Sequence, residues 1–393
     1  MEDKKIGIVH FKTYLDGAAT TKVHPDVLDA MQPYFTSKFH NPSSLYSNAV
    51  KVKQDIEAAR KTVADFIRAD QEEIYFTSSG SESNCWAIRG WIDKCIADGH
   101  KDIVVITSPI EHKSIMSFHV ANVPKKVTFA TVNVDEYGYV DDFHLEELLR
   151  KYSDCKVLVS IQVANNEIGT IQRIGRLSWL THKYGAVFHT DAVQAFGHIT
   201  ISVKSMGIDM LSASGHKIEA PKGIGILYKS KDIEIEPLIY GSQMDGMRGG
   251  TENVPYIIGF AKAVELIEKH MKDTNCDLEL ECCRTTMFRR LKSIGCKLVG
   301  PVYMRLSNNL TVMLPEGVGA EEMLYMLDTA EIEVSTGSAC NSHSKQPSHV
   351  LKAIGLTDEE CARCLRITLT DAYNYVIIDK VICEIERNIK LFA

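Results

Sequence analysis

Six apolar segments that fit buried strands alternate with helical segments through the middle of the chain. They lie at residues 103–107, 127–134, 157–163, 186–190, 208–212 and 224–228. Strands that are apolar along their whole length are typical of a parallel sheet that helices cover on both faces. The pattern therefore predicts an α/β fold with a mostly parallel sheet. Such sheets bind their ligands at the carboxyl ends of the strands.

The length of the chain predicts a second unit. A single compact core rarely grows to the size of this chain, which has 393 residues. After a predicted helix at residues 254–272, residues 277–393 combine helices and strands without the earlier alternation. We expect this last part to form a smaller α+β domain.

The composition is that of an ordinary globular protein. Hydrophobic residues make up 45% and charged residues 24%, and no run reaches the roughly 18 apolar residues of a membrane-spanning helix. The first residues lack the apolar core of a signal peptide, so we expect a cytoplasmic protein without membrane contact. A net charge of -7 without a basic tract argues against direct binding of nucleic acid.

Eleven cysteines at irregular spacing do not fit a disulfide framework, and reduced thiols are expected. Cys361 and Cys364 have the spacing of a metal or redox pair. No second pair of this kind and no histidine pair completes a zinc site. We therefore expect these two cysteines to be structural, and we expect no metal.

Lys217 lies where a solvated lysine is unusual. Residues 209–223, DMLSASGHKIEAPKG, form an apolar strand that ends in polar side chains before a turn rich in proline and glycine. A lysine partly removed from water can act as a nucleophile toward a carbonyl. On these residues alone, a surface lysine in a turn is the alternative.

A second strand end supplies a matching acid. Residues 186–194, AVFHTDAVQ, are apolar up to Asp191 and lie one crossover before Lys217. A lysine that bonds an aldehyde and an acid that keeps a pyridine nitrogen protonated are the two groups that pyridoxal phosphate (PLP) most needs.

Residues 73–84, EIYFTSSGSESN, read as a strand, a turn of small residues and a helix start. Gly80 and Ser81 would leave backbone N–H groups at that helix N-terminus, which is a site for an anion. A helix cap without an anion is the alternative.

The motifs together resemble those of a known family. SGHKxxxPKGIG, preceded by HTDAVQ and NNEIGTIQ, is similar to the cysteine desulfurases of the NifS and IscS kind, which are class V, fold-type I PLP enzymes. The resemblance runs from YLDGAATT at residues 14–21 to about Thr368. It implies the PLP-dependent transferase fold, with a seven-stranded, mostly parallel sheet. It also implies a large PLP-binding domain at residues 21–256, a small α+β domain at residues 257–393, and an N-terminal segment at residues 1–20 that associates with the small domain.

The resemblance also assigns roles to individual residues. Lys217 would bond the aldehyde carbon of PLP and move protons, and Asp191 would pair with the ring nitrogen. The other cofactor contacts would be His112 stacked on the ring, Gln194 at the ring hydroxyl, and Gly80, Ser81, Ser214 and His216 at the phosphate. Contacts to the substrate would come from Asn166, which also touches the cofactor, from Arg366, which receives the carboxylate, and from Asn41, which helps to close the site.

Cys340 would select the reaction. It lies in a stretch of small and polar residues, STGSACNSHS, where a cysteine has little packing value and an exposed thiol is a liability unless it is used. In the family this cysteine attacks the sulfur of PLP-bound cysteine. The implied reaction converts L-cysteine to L-alanine and leaves a persulfide on Cys340. A sulfur acceptor protein, either an iron–sulfur scaffold or a tRNA-thiolation protein, would then receive the sulfur.

Two alternative functions stay open at this point. The first is a selenocysteine lyase or another enzyme related to class V aminotransferases, and the second is a non-catalytic sulfur-relay or scaffold protein on the same fold. The resemblance further implies a homodimer in which Thr251 reaches the phosphate of the neighbouring subunit's PLP. Departures from the family pattern at Tyr46, at Glu219 and Ala220, at residues 244–245 and after Arg366 remove no cofactor ligand.

Overall fold

The computed structural model describes residues 13–119, 127–272, 274–336, 346–370 and 375–392. The elements that lead to and form the central sheet are β1 (Thr13–Tyr14), α1 (Pro25–Met31), α2 (Pro33–Thr36), α3 (Ser47–Ile67), β2 (Ile74–Thr77), α4 (Gly80–Ala97), β3 (Ile103–Thr107), α5 (Lys113–Met116), β4 (Val127–Thr131), α6 (Asp142–Lys151), β5 (Lys156–Ser160), α7 (Ile174–Lys183), β6 (Val187–Asp191), α8 (Val203–Met206), β7 (Met210–Ser214) and β8 (Gly225–Lys229). The rest are α9 (Val254–Lys272), α10 (Thr274–Ser293), β9 (Lys297–Leu298), β10 (Asn309–Met313), α11 (Ala320–Thr329), β11 (Ile332–Glu333), β12 (Ser335–Thr336), α12 (His349–Ala353), α13 (Asp358–Cys361), β13 (Cys364–Thr368) and α14 (Tyr375–Phe392).

Seven strands form the central sheet in the order β2-β8-β7-β6-β5-β3-β4. The neighbours from β7 to β4 run parallel, and β8 runs antiparallel to both β7 and β2. Alternate residues of β3 belong to two hydrophobic clusters. Val104 and Ile106 pack in the cluster that contains α1, α3 and α9, and Ile103 and Val105 pack in the cluster that contains α4. Both faces of the sheet are therefore covered, and the predicted α/β fold with a mostly parallel sheet is confirmed.

The strand directions bring the polar strand ends together. Because β2 is antiparallel to β8, and β8 is antiparallel to β7, β2 runs in the same direction as β7. The carboxyl ends of β2, β3, β5, β6 and β7 consequently lie at one edge of the sheet. The segments that follow these ends contain most of the predicted site residues, and the architecture gathers them at that edge.

A second sheet follows in the chain. Its four strands are antiparallel in the order β12-β13-β10-β9. Leu310, Val312, Leu365 and Ile367 pack with residues of α10, α11 and α14 in a separate hydrophobic cluster. This combination of helices and an antiparallel sheet is the secondary structure that we expected for a smaller α+β unit in this part of the chain.

The first described residues, from Thr13 onward, lie beside this second sheet. β1 pairs in parallel with β11, and backbone hydrogen bonds join Leu15 and Gly17 to Thr368 of β13. Residues 18–21 then continue to the loop after β7, where the N–H of Thr21 donates to the carbonyl of His216. The N-terminal segment thus connects the second sheet to the ligand edge of the first.

The predicted helix at residues 254–272 is reproduced as α9. Ile257 and Phe260 of this helix pack in the cluster that contains α1 and α3. The expected division at residue 256 falls within α9, and it stays a prediction, as does the division at residue 20. Among the described helices, none has the length and apolar character needed to cross a membrane.

Candidate active site

A cavity of about 290 Å³ opens at the carboxyl ends of the central strands. It is bounded by residues that follow five of these strands, by residues 18–19 and by β13. The predicted site residues that line it are Gly80, Ser81, His112, Asn166, Asp191, Gln194, Ser214, His216, Lys217 and Arg366. Residues from positions 80 to 366 thus converge on one space large enough for a small ligand.

Lys217 lines this cavity. It follows β7 at the end of a single turn of 3-10 helix, Gly215–Lys217. Its Nζ donates to the carbonyl oxygen of Ala18 at 2.5 Å and to that of Ala19 at 2.8 Å. Gln194 Nε2 donates to the same Ala18 carbonyl at 3.0 Å. The N-terminal segment therefore fixes the lysine amine at the cavity wall, where it can meet the carbonyl carbon of a ligand.

Asp191 is the last residue of β6 and is 5% exposed. Its Oδ2 accepts a hydrogen bond from Asn84 Nδ2 at 2.6 Å, and its Oδ1 accepts one from the backbone N–H of Val193 at 2.8 Å. Each carboxylate oxygen can accept a further hydrogen bond. The carboxylate is thus held in a fixed orientation, and it has remaining capacity for a donor such as a protonated ring nitrogen.

The N-terminus of α4 offers hydrogen-bond donors to the cavity, whereas Asp191 offers acceptors. Ser79 caps the helix by accepting a hydrogen bond from the N–H of Glu82 at 3.2 Å. The N–H groups of Gly80 and Ser81 lie in the first turn, where the helix has no carbonyl to receive them. A Cβ atom at Gly80 would lie 2.4 Å from Val193 Cγ2, so a larger residue here would displace the helix start or Val193. The helix start is therefore shaped to receive an anion.

His216 lines the cavity beside Lys217. His216 Nδ1 is 3.1 Å from Thr20 Oγ1. Burial lowers the pKa of His216 to about 4, and the neighbouring Lys217 and Lys222 act in the same direction. At neutral pH the imidazole is thus uncharged beside two lysines. The groups that a phosphate could meet in this cavity are the N–H groups of the helix start, the hydroxyl groups of Ser81 and Ser214, and the imidazole of His216.

These groups fit PLP. The cavity combines an amine for the aldehyde, a carboxylate for the ring nitrogen and a helix N-terminus for the phosphate, which are the protein groups that this cofactor uses. A Cβ at position 80 would press on Val193 and Ser214, which also line the cavity, so the helix start lies close against the strand ends.

Arg366 reaches the cavity from the second sheet. It is the central residue of β13, and its side chain is 4% exposed. Nη2 donates to Asp16 Oδ1 at 2.7 Å, and Nη1 donates to the carbonyl of Asn166 at 3.3 Å. Its Nε is buried and has no hydrogen-bond partner among the described residues. A forked cation in this position suits a planar carboxylate.

His112 is the N-cap residue of α5. Its Nδ1 accepts a hydrogen bond from the backbone N–H of Ser114 at 3.1 Å and lies 2.8 Å from Ser114 Oγ. The ring itself is exposed and lines the cavity. The capping contacts hold one edge of the imidazole and leave its face for a ligand.

Two buried acids near the cavity were not predicted. Glu111 is fully buried, and its carboxyl group accepts from Ser108 Oγ at 2.5 Å and from the N–H of Gln162 at 2.9 Å. Burial raises the pKa of Glu111 to about 8. Glu167 Oε2 accepts from Ser348 Oγ at 2.5 Å, and burial raises the pKa of Glu167 to about 7. The motifs around both residues were visible in the sequence, but nothing in them indicated burial.

Asn84 is a third residue that the sequence did not assign. It lines the cavity one helical turn after Gly80. Residues four apart on a helix share a face, so the spacing from the anion site was the one available signal.

Three predicted site residues do not join the cavity in the described chain. Asn41 is exposed, and its Oδ1 accepts from the N–H of Ser43 at 2.9 Å. Thr251 is exposed and is not among the lining residues. Cys340 lies outside the described residues. The roles of all three stay predictions.

Cys361 and Cys364 are both buried, and burial raises the pKa of Cys361 to about 11 and that of Cys364 to about 12. The thiolate, which is the form that binds metals and reacts, is therefore disfavoured at both positions.

The departures from the family pattern at Tyr46, Glu219 and Asp245 are not among the residues that line the cavity.

Comparison with known proteins agrees with this geometry. A family model described as aminotransferase class-V matches residues 13–375. Cysteine desulfurase IscS from Methanosarcina thermophila is 40% identical over 382 residues, which cover 97% of this chain and 93% of that protein. Cysteine desulfurase IscS from Dictyoglomus turgidum is 42% identical over 370 residues, which cover 91% of this chain and 89% of that protein.

Solved structures are similar over the same extent. A NifS-like protein superimposes with a TM-score of 0.89 and 31% identity, covering 97% of this chain and 100% of that one. A structure described as SspA in complex with cysteine superimposes with a TM-score of 0.77 and 34% identity, covering 91% of this chain and 99% of that one. The fold and the resemblance predicted from the motifs are thereby confirmed, and the chain belongs to the class-V aminotransferase family.

Proposed function

We propose that this chain is a PLP-dependent cysteine desulfurase, which converts L-cysteine to L-alanine and leaves a persulfide on Cys340. The observation that carries the proposal is the convergence of Lys217, Asp191 and Arg366 on one cavity. An amine, a carboxylate and a guanidinium in one space serve an amino-acid substrate that is bound through PLP. The names of the relatives and the cysteine bound to SspA favour cysteine as that substrate.

The residues of the cavity would hold the cofactor at both ends. Lys217 would bond its aldehyde carbon, Asp191 would accept from its ring nitrogen, and Gln194 would meet its ring hydroxyl. Gly80, Ser81, Ser214 and His216 would surround its phosphate. When bound, PLP supplies a ring that withdraws electrons from the Cα of the substrate. Lys217, once the substrate amine replaces it, would be the base that takes the Cα proton.

Arg366 would position the substrate. Its guanidinium would receive the substrate carboxylate beside Asn166, with the amine directed toward Lys217. A planar fork orients a carboxylate through two hydrogen bonds, whereas an ammonium group acts as a single point charge. This contact would hold the substrate sulfur on a defined side of the cavity.

Sulfur transfer would then follow from the thiolate of Cys340. Its sulfur attacks the substrate sulfur, a bond forms between the two sulfurs, and the bond from substrate Cβ to sulfur breaks. The electron pair of that bond stays with the substrate carbon, which gains a proton and becomes alanine. One L-cysteine and one thiol therefore give one L-alanine and one persulfide, without an external oxidant.

We also propose that the protein acts as a homodimer in the cytoplasm. Thr251 is exposed outside the cavity of its own chain, as a residue that completes a neighbouring phosphate site would be. Leu45 and Tyr240 expose 95% and 80% of their surface, and apolar side chains so exposed suit an interface. Sedimentation of the PLP-loaded protein at micromolar concentration tests this, and a fully active monomer would contradict it. The sulfur would pass to an acceptor protein.

Product analysis tests the proposed activity. The PLP-loaded protein with L-cysteine and a reductant should release alanine and sulfide in equal amounts. Lys217→Ala should lose the visible absorption of the bound cofactor and both products, whereas Lys61→Ala, which removes an exposed lysine of α3, should retain activity. Alanine formation from selenocysteine but not from cysteine would favour the lyase, and keto-acid formation would favour an aminotransferase. A protein that binds PLP and makes neither product would be a relay or scaffold.

A further inference from the structure

Asn84 connects two parts of the candidate site. The residue is 1% exposed, and its Nδ2 donates to Asp191 Oδ2 at 2.6 Å and to Ser114 Oγ at 3.0 Å. An ionised carboxylate only accepts hydrogen bonds, so the amide nitrogen and not the amide oxygen must face Asp191. The remaining Oδ1 is buried without a hydrogen-bond partner among the described residues. Both N–H groups of the side chain are therefore committed to these two contacts.

Ser114 extends the connection to His112. Its Oγ accepts from Asn84, which leaves its own hydroxyl proton for His112 Nδ1 at 2.8 Å. The backbone N–H of Ser114 also donates to His112 Nδ1, at 3.1 Å. A nitrogen that accepts hydrogen bonds carries no proton, and the proton of a neutral imidazole is then on Nε2.

We propose that Asn84 and Ser114 are positioning residues that couple Asp191 to His112 and hold His112 as the neutral tautomer with its proton on Nε2. A proton on Nδ1 would point at the proton of the Ser114 backbone N–H. The hydrogen bonds that run from Asn84 through Ser114 to His112 would then be broken. The inference deepens the proposed function and rests on it for the identity of the ligand. An uncharged imidazole can stack on a cationic pyridine ring, whereas an imidazolium would be repelled by it.

The hydrogen bond from Asn84 also fixes the orientation of the Asp191 carboxylate. Its Oδ2 would lose its side-chain donor without Asn84, and the carboxylate could rotate away from the ring nitrogen. Asn84 and Ser114 stand between Asp191 and His112, and each contact of the chain is a hydrogen bond of 3.0 Å or less. Orientation of the ring by Asp191 and stacking by His112 would consequently change together.

Nitrogen NMR of the full-length protein tests the tautomer. Protein labelled with ¹⁵N-histidine should show a signal with an unprotonated Nδ1 and a protonated Nε2 that vanishes in His112→Gln. The signals of His24 and His144, whose Nδ1 atoms also accept backbone N–H groups, should remain in that variant. Ser114→Ala should shift the Nδ1 resonance of His112, because one of the two hydrogen bonds to this nitrogen is lost, and Ser114→Thr, which keeps the hydroxyl, should restore it. Ser117→Ala, on the following turn, is the matched control and should leave the signal unchanged. A protonated Nδ1 on His112 of the unmodified protein would overturn the proposal.

PLP binding tests the coupling to Asp191. Asn84→Leu should weaken PLP affinity roughly tenfold or more, because a hydrogen bond to a charged group is lost, and should also shift the Nδ1 resonance of His112, because Ser114 Oγ loses the donor that orients it. Unchanged affinity, or an unchanged Nδ1 resonance of His112, in Asn84→Leu would contradict the proposal. Both measurements are independent of turnover, so an absent desulfurase activity would contradict the proposed function and leave this inference standing.

Discussion

Arg366 Nη2 lies 2.7 Å from Asp16 Oδ1, which joins two residues 350 positions apart in the chain. The guanidinium is almost fully buried, and the carboxylate is 19% exposed. Thr368, two residues further along β13, exchanges backbone hydrogen bonds with Leu15 and Gly17 on either side of Asp16. The N-terminal segment thus brings its own carboxylate to the guanidinium that we assign to the substrate.

Arg366→Lys should separate substrate binding from cofactor binding. We expect the KM for L-cysteine to rise at least about tenfold, because an ammonium group replaces a forked contact with the carboxylate. The visible spectrum of bound PLP should stay unchanged. Steady-state kinetics and absorption spectra of the same preparations check both parts. A wild-type KM in this variant would show that the carboxylate is bound elsewhere.

Asp16→Asn should lower stability in a way that a ligand reverses. Removal of one partner leaves a buried guanidinium without its anion, at a cost of about 2 kcal/mol. This is below the cost for a fully buried pair because Asp16 is partly exposed. L-alanine, which has the carboxylate but no sulfur, should recover part of the lost melting temperature. Calorimetry of the PLP-loaded variant with and without L-alanine makes the test. An equal shift by an amine without a carboxylate would count against the assignment.

Gly80→Ala should abolish tight binding of PLP. The added Cβ would lie 2.4 Å from Val193 Cγ2, so either the helix start or residue 193 must move. Val193→Ala removes that contact, and the double variant should recover most of the affinity. Gly175→Ala, where the nearest atom would be 4.0 Å away, is the control. If Gly80→Ala binds PLP as tightly as wild type does, the close packing of the helix start on Val193 is not required for the cofactor site.

Glu167→Gln should change how stability depends on pH. Burial raises the pKa of Glu167 from 4.5 to about 7 in the folded chain. Between about pH 4.5 and about pH 7 the folded state therefore holds a proton that the unfolded state has lost. The contribution of this group to the free energy of unfolding is fully present below about pH 4.5 and is lost as the pH rises through about 7. Compared with wild type, the glutamine variant should gain stability as the pH is raised. Melting curves across this range check the sign. A difference that does not vary with pH would mean that Glu167 is ionised when buried.

The strands and the positions of Lys217, Asp191, Gly80 and Ser81 at strand ends could be predicted because their signals are local. The other predicted site residues came from the resemblance to a family. The segment at residues 103–107 is reproduced as β3, and the segment at residues 208–212 is displaced by two residues from β7. Buried strands are apolar throughout, and parallel strands bring their polar ends to one edge. The order of apolar and polar residues along the chain was therefore enough to place Lys217 and Asp191 together.

Asp16 and Asn84 could not be predicted, because their roles depend on contacts between distant positions. Asn84 meets Asp191 across 107 residues, and Asp16 meets Arg366 across 350. Periodicity along the chain contains no information about such pairs. Burial of Glu111 and Glu167 is likewise a property of the packed cavity wall, since acidic residues are mostly exposed unless the fold surrounds them.

The most direct test of the proposed desulfurase reaction is mass spectrometry of the PLP-loaded protein after one addition of L-cysteine without reductant. We predict one added sulfur on the peptide that contains Cys340, together with one alanine per site. Cys340→Ser should still change the PLP spectrum when L-cysteine is added, because Lys217 and Arg366 are intact, yet give neither alanine nor persulfide, since a hydroxyl is a poor nucleophile toward sulfur. Alanine production at the wild-type rate by Cys340→Ser would contradict the assignment of Cys340 as the nucleophile.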